Sequence, residues 1–480
     1  MNYPVIGQVL SWILCTEGAL MLLPCIISLI YREDQGMIYF ALAILAIALG
    51  YLTGRRKVKN KAIYQREGFV AVGLSWVLLS LYGAIPFVLT GEIPCYVDAV
   101  FEIVSGFTTT GSSILSDVEA LSHTSLFWRS FSHWIGGMGV LVFILMLIPT
   151  NRGGTQMNLM KAESPGPDVS KFVPRVRNTA IVLYKIYLGM TLIMIALLAL
   201  TGMNWFHNLC ITFGTAGTGG FGIINDSCAS YTPIQQWIIT LFMIAFGVNF
   251  GFYYLFLITR FKEAFAMEEV RAYIGIILAS GLAIAWQIRD RFETVEEALR
   301  ASFFQVGSII TTTGYSSVDF DLWPSFSKCI LVLLMIVGAC AGSTGGGVKV
   351  SRVVLIVKSI FLELGQVLHP HGVQRMRMDG KTVDSKMLNS IYIFLTTYFL
   401  IFFLSVLAVS LDGFNFETNF TAVAATLNNI GPGLAGVGPT RNFYAYSHLS
   451  KLILIFDMLA GRLELLPMLI LFYPRTWTKN

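Results

Sequence analysis

Long apolar segments alternate with short ones along this chain of 480 residues. A helix needs about 20 mostly apolar residues to cross a membrane, and ten segments approach or exceed that length. They are Val5–Ile30, Met37–Leu52, Phe69–Leu89, Leu126–Ile148, Thr179–Leu200, Ile234–Ile258, Ala272–Gln287, Cys329–Phe361, Leu388–Leu411 and Leu449–Phe472. The pattern predicts a helical membrane protein with ten crossings.

A shorter apolar pattern recurs four times between the later crossings, and each copy leads into a glycine turn. The predicted half-helices cover 98–107, 206–213, 296–306 and 418–426. The turns consist of Thr109, Thr110, Gly111, Ser112; Thr218, Gly219, Gly220, Phe221; Thr312, Thr313, Gly314, Tyr315; and Asn429, Ile430, Gly431, Pro432. Their shared glycines are 109, 94 and 117 residues apart. Near-regular recurrence of a whole pattern indicates a repeat architecture.

The third turn, Thr-Thr-Gly-Tyr, is similar to the filter signature of potassium channels. Such a filter replaces the water shell of an ion with backbone carbonyls and a Thr hydroxyl. Glycine is needed because a row of carbonyls on one side requires backbone angles that a Cβ disfavours. One Thr-Thr-Gly is more typical of an ordinary turn or helix cap than of a filter, but four copies on one chain favour a single pore with four filter loops and a bound K⁺.

The predicted fold is an all-α polytopic membrane protein. Two N-terminal helices occupy residues 1–67, and four pore repeats occupy 68–177, 178–271, 272–386 and 387–480. Each repeat is a helix, a re-entrant pore half-helix with its filter loop, and a second helix. Non-helical backbone at membrane depth is tolerated beside protein or a water-filled cavity, which places the four loops around one pseudo-fourfold pore.

Composition and charge agree with a membrane protein, since 55% of residues are hydrophobic and 13% are charged, against about a quarter charged in soluble domains. Twenty Lys and Arg residues lie in the loops at 55–66, 152–177, 260–271, 375–386 and 475–479. Six belong to the other side, namely Arg32, Arg129, Arg289, Arg291, Lys328 and Arg441. The richer side is cytoplasmic, so both termini are predicted inside. The net charge of +5 needs no nucleic acid as a partner.

Enzyme chemistry finds no support in the motifs. There is no Gly-x-Ser-x-Gly, no His-Glu-x-x-His and no pair of intramembrane Asp residues. The seven cysteines include no Cys-x-x-Cys pair, and the six histidines show no metal-ligand spacing. No covalently bound cofactor is expected. A carrier with two interrupted helices in inverted halves is the other transport class, but four hairpins entering from one face favour a pore.

A gate is predicted inside the second helix of repeat three. Cys329–Phe361 would measure about 50 Å as one helix, against a hydrocarbon core of about 30 Å. Its small residues should break it into two halves joined by a loop beneath the filter. Arg462, halfway down the last helix, needs a partner at that depth, and carbonyls of the loop suit its guanidinium. The predicted gate comprises Gly338, Gly342, Ser343, Thr344, Gly345, Gly346, Gly347, Lys349 and Arg462.

Several longer motifs resemble the membrane subunit of the Trk potassium-uptake family, TrkH/TrkG type, within the Trk/Ktr/HKT superfamily. They are Arg66–Phe69, Thr108–Gly111, Gly136–Gly139, Ser164–Pro167, Ala341–Lys349, Ala425–Gly433 and Gly461–Glu464. The resemblance covers essentially the whole chain. It implies potassium transport in the bacterial cytoplasmic (inner) membrane, a homodimer, and a cytosolic nucleotide-binding regulatory ring of TrkA type that gates the pore.

The filter departs from that of potassium channels because only the central glycine is common to all four turns. Gly219, Ile430 and Pro432 replace residues of the channel signature. Fewer equivalent carbonyl rings imply weaker rejection of sodium. In the superfamily a Gly-to-Ser change at the filter accompanies sodium permeation, so four retained glycines favour potassium. A sodium-permeable or proton-coupled cation symporter of the same fold is the alternative.

Acidic residues near the membrane are further candidates. Glu17, inside the first helix, is expected to serve packing or an interface. Asp98 and Glu102 open the first half-helix, and Asp98 is expected to cap it. With Asp117, Glu119, Asp226, Asp319 and Asp321 they would form an acidic outer mouth that concentrates cations; a merely solvated loop surface is the other interpretation.

Overall fold

The computed structural model describes residues 1–55, 64–139, 176–370 and 375–478. The predicted helix end at 140–148, the Ser-Pro-Gly-Pro motif at 164–167 and the basic residues at 56–61, 152–175 and 479 lie outside the described residues. An N-terminal pair of crossings comes first. It consists of α1 (Tyr3–Leu20), which α2 (Leu22–Tyr31) continues, and α3 (Gln35–Gly54).

Four helix–half-helix–helix units follow. The first helices are α4 (Gln65–Gly83) with the short α5 (Ile85–Leu89), α8 (Val176–Leu200), α13 (Glu268–Ile288) and α17 (Ser385–Val409). The half-helices, called pore helices below, are α6 (Tyr96–Phe107), α9 (Trp205–Gly217), α14 (Val295–Ile310) and α18 (Phe416–Leu427). The second helices are α7 (His123–Gly137), α10 (Pro233–Phe246) with α11 (Phe250–Leu257), α15 (Ser325–Val337) with α16 (Val350–Leu368), and α19 (His448–Arg462) with α20 (Leu466–Phe472).

The remaining elements are short. Helix α12 (Phe261–Ala266) links repeats two and three, and a two-stranded hairpin precedes repeat four, with β1 (Arg377–Met378) antiparallel to β2 (Lys381–Thr382). Single 3₁₀ turns lie at Arg289–Arg291, Phe320–Leu322, Ser410–Asp412, Ala435–Val437 and Pro474–Thr476.

The helices sort into an exposed outer layer and a buried centre. Six helical segments of the described chain are long and apolar enough to cross a membrane, or seven if the bent pair α10–α11 counts as one. Large apolar side chains such as Leu192, Leu400 and Phe403 stand exposed on them, as lipid-facing side chains do. The pore helices are buried instead; in α6 every residue from Asp98 to Phe107 is buried. The predicted all-α membrane fold is confirmed.

Second helices are interrupted in more repeats than predicted. The break in repeat three lies where the glycine run predicts it, between Val337 and Val350. We expected unbroken helices in repeats two and four, and this was wrong. In repeat two the chain bends by 91° between Phe246 and Phe250, where Asn249 caps the second segment by accepting a hydrogen bond from Gly251 N at 2.8 Å. In repeat four the break follows Arg462.

The N-terminal pair is attached to repeat one by a carboxylate. Glu33 accepts hydrogen bonds from the backbone N–H groups of His123 and Thr124 at 2.8 and 2.9 Å, where α7 begins. Burial opposes ionisation, but the hydrogen bonds from Thr124 and His123 hold the pKa of Glu33 below its usual range. Glu17 is buried close to Gly83 of α4, which agrees with a packing role.

Candidate ion-conduction site

The four predicted filter loops share one backbone conformation. Their first residues, Thr109, Thr218, Thr312 and Asn429, have φ between +55° and +59°. Two positions later the glycines have φ from +77° to +105°. Left-handed angles at every second residue turn successive carbonyls toward the same side. The sequence revealed the glycines, but it did not reveal the left-handed first position, because the β-branched Thr that occupies it in three loops rarely adopts positive φ.

The loops also contact one another in chain order. A Cβ added to each central glycine would meet the carbonyl oxygen of the residue that comes just before the central glycine of the next loop. In three of the four cases the added Cβ would collide outright with that oxygen. The pairs are Gly111 with Gly219, Gly220 with Thr313, Gly314 with Ile430, and Gly431 with Thr110. Because repeat four returns to repeat one, the four loops close a ring.

Side chains fasten the ring between repeats four and one. Ser112 Oγ donates to the carbonyl of Gly431 at 3.0 Å, and Asn429 Nδ2 donates to Thr110 Oγ1 at 2.9 Å. Within repeats one and three, the hydroxyls of Thr108 and Thr110 lie 2.8 Å apart, and those of Thr311 and Thr313 lie 2.7 Å apart. The threonines of repeats one and three therefore bond to each other within their own loops.

Repeat two lacks these threonines, and a histidine from repeat one fills the space. A Cβ built on Gly219 would fall on the imidazole of His133. His133 is fully buried in α7, and its ring meets Phe221 edge-on with centroids 4.3 Å apart. The equivalent residues in the other loops, Thr110, Thr313 and Ile430, carry side chains of their own. Sequence reasoning considered His133 only as one of six histidines without metal-ligand spacing, because nothing local indicates that it packs beside Gly219.

We predict that Gly219→Ala destabilises the protein by about 1–3 kcal/mol, the usual cost of overpacking, because the added methyl group and the imidazole of His133 compete for one space. Combining Gly219→Thr with His133→Ala should recover stability, since the new side chain enters the space the ring vacates. Thermal melting in detergent with K⁺ measures both. Gly189→Ala in α8 is the control, because nothing lies within 4 Å of its added Cβ. A wild-type melting temperature for Gly219→Ala would show that His133 is not fixed there.

A buried ion pair supports the loops of repeats one and two from behind. Arg129 of α7 lies 2.7 Å from Glu102 of α6, and both side chains are at most 1% exposed. Arg129 also donates to the Gly222 carbonyl at 3.2 Å, and Glu102 accepts from Ile114 N at 3.0 Å. The pair thereby joins two filter loops from outside the ring.

Three sequence interpretations of these charges were wrong. Arg129 is not a loop residue and carries no information about orientation. Glu102 and Asp98 do not form part of an acidic mouth, since both are buried and paired, Asp98 with Lys451 at 2.6 Å. Asp98 also does not cap α6; the N-cap residue is Cys95. Asp117, Glu119 and Asp226 are exposed, and Asp319 and Asp321 are partly so.

The glycine-rich loop of repeat three lies directly beneath the ring. Gly346 N donates to Thr312 Oγ1 at 2.6 Å. A Cβ on Gly345 would come within 2.7 Å of the Thr311 carbonyl oxygen, and one on Gly346 would collide with that of Asn428. The loop thus occupies the space under the filter loops of repeats three and four. At Gly345 and Gly346 only a residue without a side chain fits.

Arg462 holds this loop from the opposite side. Its Nη1 donates to the Thr344 carbonyl at 2.8 Å, and its Nη2 donates to the carbonyls of Gly136, and of Gly137 at 3.0 Å. The guanidinium therefore bridges repeats three and one, and repeat four supplies it. Lys349 is buried and bonds to the Gly345 carbonyl, so it does not extend to the membrane surface.

Glu269 fastens the other side of the loop. It accepts from Ala341 N at 2.6 Å and from Ser351 N at 3.1 Å, and lies 3.4 Å from Asn249 Nδ2. The loop also bonds to the break in repeat two, since Phe250 N donates to the Gly342 carbonyl at 3.0 Å. Sequence reasoning missed Glu269, because an acid in the first turn of a helix is ordinarily explained by the helix dipole.

Comparisons with known proteins agree with this architecture. The family model for TrkH, described as a cation transport protein, matches residues 35–278 and 292–479. The Trk system potassium uptake protein TrkH of Salmonella typhimurium is 34% identical over 99% of this chain and 100% of its own. TrkG of Escherichia coli is 29% identical, covering 95% of each chain. The crystal structure of the potassium transporter TrkH from Vibrio parahaemolyticus superposes with a TM-score of 0.88 at 29% identity, covering both chains completely.

Proposed function

Because the chain belongs to the TrkH family of cation transport proteins, we propose that it takes up potassium across the bacterial cytoplasmic membrane. The single observation that carries the proposal is the closed ring of four loops with aligned left-handed residues. We propose that the sixteen predicted filter residues bind K⁺ there, within the repeat boundaries predicted from the sequence. Pore helices whose C-terminal ends point at the cavity add partial negative charge that stabilises a cation.

The loop beneath the ring is the proposed gate. It fills the path below Thr311 and Asn428, and Arg462 and Lys349 place two positive charges beside it. A potassium ion leaving the filter would meet both the backbone and the charges. Conduction therefore requires the loop to withdraw, and its glycines give it the freedom to do so.

We propose that a cytosolic nucleotide-binding ring moves this gate through α16. That helix begins directly after the loop, and Lys358 on it bonds to Glu268 and to the Arg377 carbonyl of the β-hairpin at 2.9 Å. The hairpin carries Arg377 and Lys381 on the side assigned to the cytoplasm. A partner that displaced the hairpin would pull on α16 and hence on the loop. A homodimer with cytoplasmic termini is part of the same proposal.

Flux into liposomes tests the proposal. Purified protein should pass potassium and rubidium, and sodium more slowly, with flux increasing when the cognate soluble subunit is added. Sodium flux equal to potassium flux would replace the proposal with the sodium-permeable alternative. Uptake that requires an imposed pH gradient would identify a proton-coupled symporter. Absence of flux for all three ions, with the partner bound, would contradict conduction altogether.

A further inference from the structure

We propose that the chain carries a binding site for a thiophilic divalent cation, of the zinc class, away from the conduction path. The site consists of Cys95 and Asp98 on pore helix α6 and His448 at the start of α19. One ligand atom from each lies within 4.8 Å of the other two. Within the described ranges this is the one such group of at least three His, Cys, Asp or Glu side chains.

The geometry suits a metal as well as it suits a hydrogen bond. Cys95 Sγ and His448 Nε2 lie 3.7 Å apart. Tetrahedral zinc with Zn–S of about 2.3 Å and Zn–N of about 2.05 Å separates these atoms by about 3.6 Å. The cysteine and the histidine therefore stand at coordination distance already, and the Asp98 carboxylate lies within 4.8 Å of both.

Cys95 is also an unusual residue for its place. The other three pore helices begin with a side-chain cap, from Asn204, Thr294 and Asn415. Cys95 occupies the same position in α6 and makes no side-chain cap. Its sulfur is turned to His448 instead, so it contributes nothing to the capping of its own helix.

The donor set selects the metal. Thiolate and imidazole favour zinc and cadmium, whereas magnesium, like other hard cations, prefers oxygen ligands. Transported potassium would therefore not compete for this site. His448 is exposed and Cys95 is partly so, which leaves the fourth coordination position open to water. Asp98 already pairs with buried Lys451 through Oδ1, so Oδ2 is the available oxygen, and the ammonium moderates the affinity.

A bound metal would join repeats one and four. Two ligands belong to α6 and the third to α19, the helix that ends at Arg462. Ligand binding to the folded state stabilises it, so zinc should raise the melting temperature. Cys95 must lose its proton on binding, which makes affinity decrease as pH falls.

Metal binding by the full chain in detergent and KCl tests this inference without measuring transport. Isothermal titration with Zn²⁺ should give one ion per chain, with an enthalpy that depends on the buffer because a proton is released. Cd²⁺ should produce a thiolate charge-transfer band. Losing even an outer-shell partner costs a metal site about tenfold or more in affinity, and Cys95 and His448 are proposed as direct ligands. Cys95→Ser and His448→Gln should therefore each weaken Zn²⁺ binding by at least about tenfold. Each should also abolish the zinc-induced rise in melting temperature.

Cys329→Ser is the matched control, because Cys329 is an exposed cysteine on α15 and should bind as the wild type does. Unchanged affinity in folded Cys95→Ser or His448→Gln protein would overturn the site. So would the absence of stoichiometric zinc in the wild type, or loss of the cadmium band in Cys329→Ser alone.

Discussion

Arg462→Ala is expected to raise potassium flux through the protein reconstituted without its soluble partner. The substitution removes the hydrogen bond to the Thr344 carbonyl of the loop, together with the bonds that anchor the guanidinium to Gly136 and Gly137 of α7. It also removes a positive charge from the proposed conduction path. At a separation of about 8 Å and an effective dielectric constant of about 20, that charge opposes a potassium ion by about 2 kcal/mol. Because about 1.4 kcal/mol is a factor of ten in rate, flux should increase by more than about tenfold.

Two further variants separate the gate from general damage. Deleting Ser343 and Thr344 shortens the loop and should raise flux in the same direction. Arg475→Ala removes an exposed arginine from the C-terminal turn and should leave flux unchanged. Potassium-dependent ⁸⁶Rb⁺ uptake at matched reconstitution measures all three. Flux at or below the wild-type level in folded Arg462→Ala protein would show that Arg462 does not close the pore.

Gly314→Ser is expected to lower the preference for potassium over sodium by about tenfold. Its Cβ would collide with the Ile430 carbonyl, and its φ of +88° is unfavourable for any residue with a side chain. The Ile430 carbonyl must then move away from the ring position it shares with its three equivalents. Sodium, which is smaller and holds its water shell more tightly, loses less stabilisation than potassium does when one carbonyl is displaced. Relative permeability from reversal potentials or competing fluxes in liposomes measures the change.

Gly413→Ser is a matched control for this prediction. Gly413 also has a positive φ, +76°, but nothing lies within 4 Å of its added Cβ. Gly413→Ser therefore introduces the backbone strain of a positive φ without a collision between the added Cβ and a carbonyl. Selectivity should change in Gly314→Ser and stay constant in Gly413→Ser. An unaltered sodium-to-potassium ratio in folded Gly314→Ser protein would remove Gly314 from the filter.

Local patterns in the sequence were sufficient for much of this architecture. The pore helices begin and end within a few residues of their predicted bounds, because each is a short apolar run closed by a glycine turn. The break at Gly338 follows from length and composition, since a helix of 33 residues is longer than the hydrocarbon core is thick and the small residues mark where it breaks. The partner of Arg462 also follows from chemistry, since a partly buried guanidinium needs acceptors and a helix break exposes carbonyls.

Features that depend on packing between distant segments could not be predicted in this way. Arg129 looks like a loop charge until Glu102 is seen beside it. His133 fills the space that a side chain at Gly219 would occupy, and the two residues are 86 positions apart in the sequence. The bend in repeat two was missed because Gly247 and Asn249 lie within an otherwise apolar run, and hydropathy averaging hides a capping residue of that kind.

Closure of the ring by the contact between Gly431 and Thr110 has a consequence for biosynthesis. Repeats one to three leave the ribosome before repeat four, so they enter the membrane before the neighbour that closes the ring exists. Until repeat four is present, the Ile430 carbonyl and the hydrogen bond from Asn429 to Thr110 are missing, so the ring of four loops is not closed. Arg462 arrives with the same repeat. If the proposed filter and gate are correct, a chain that stops before repeat four lacks both of them together and cannot act as a selective leak.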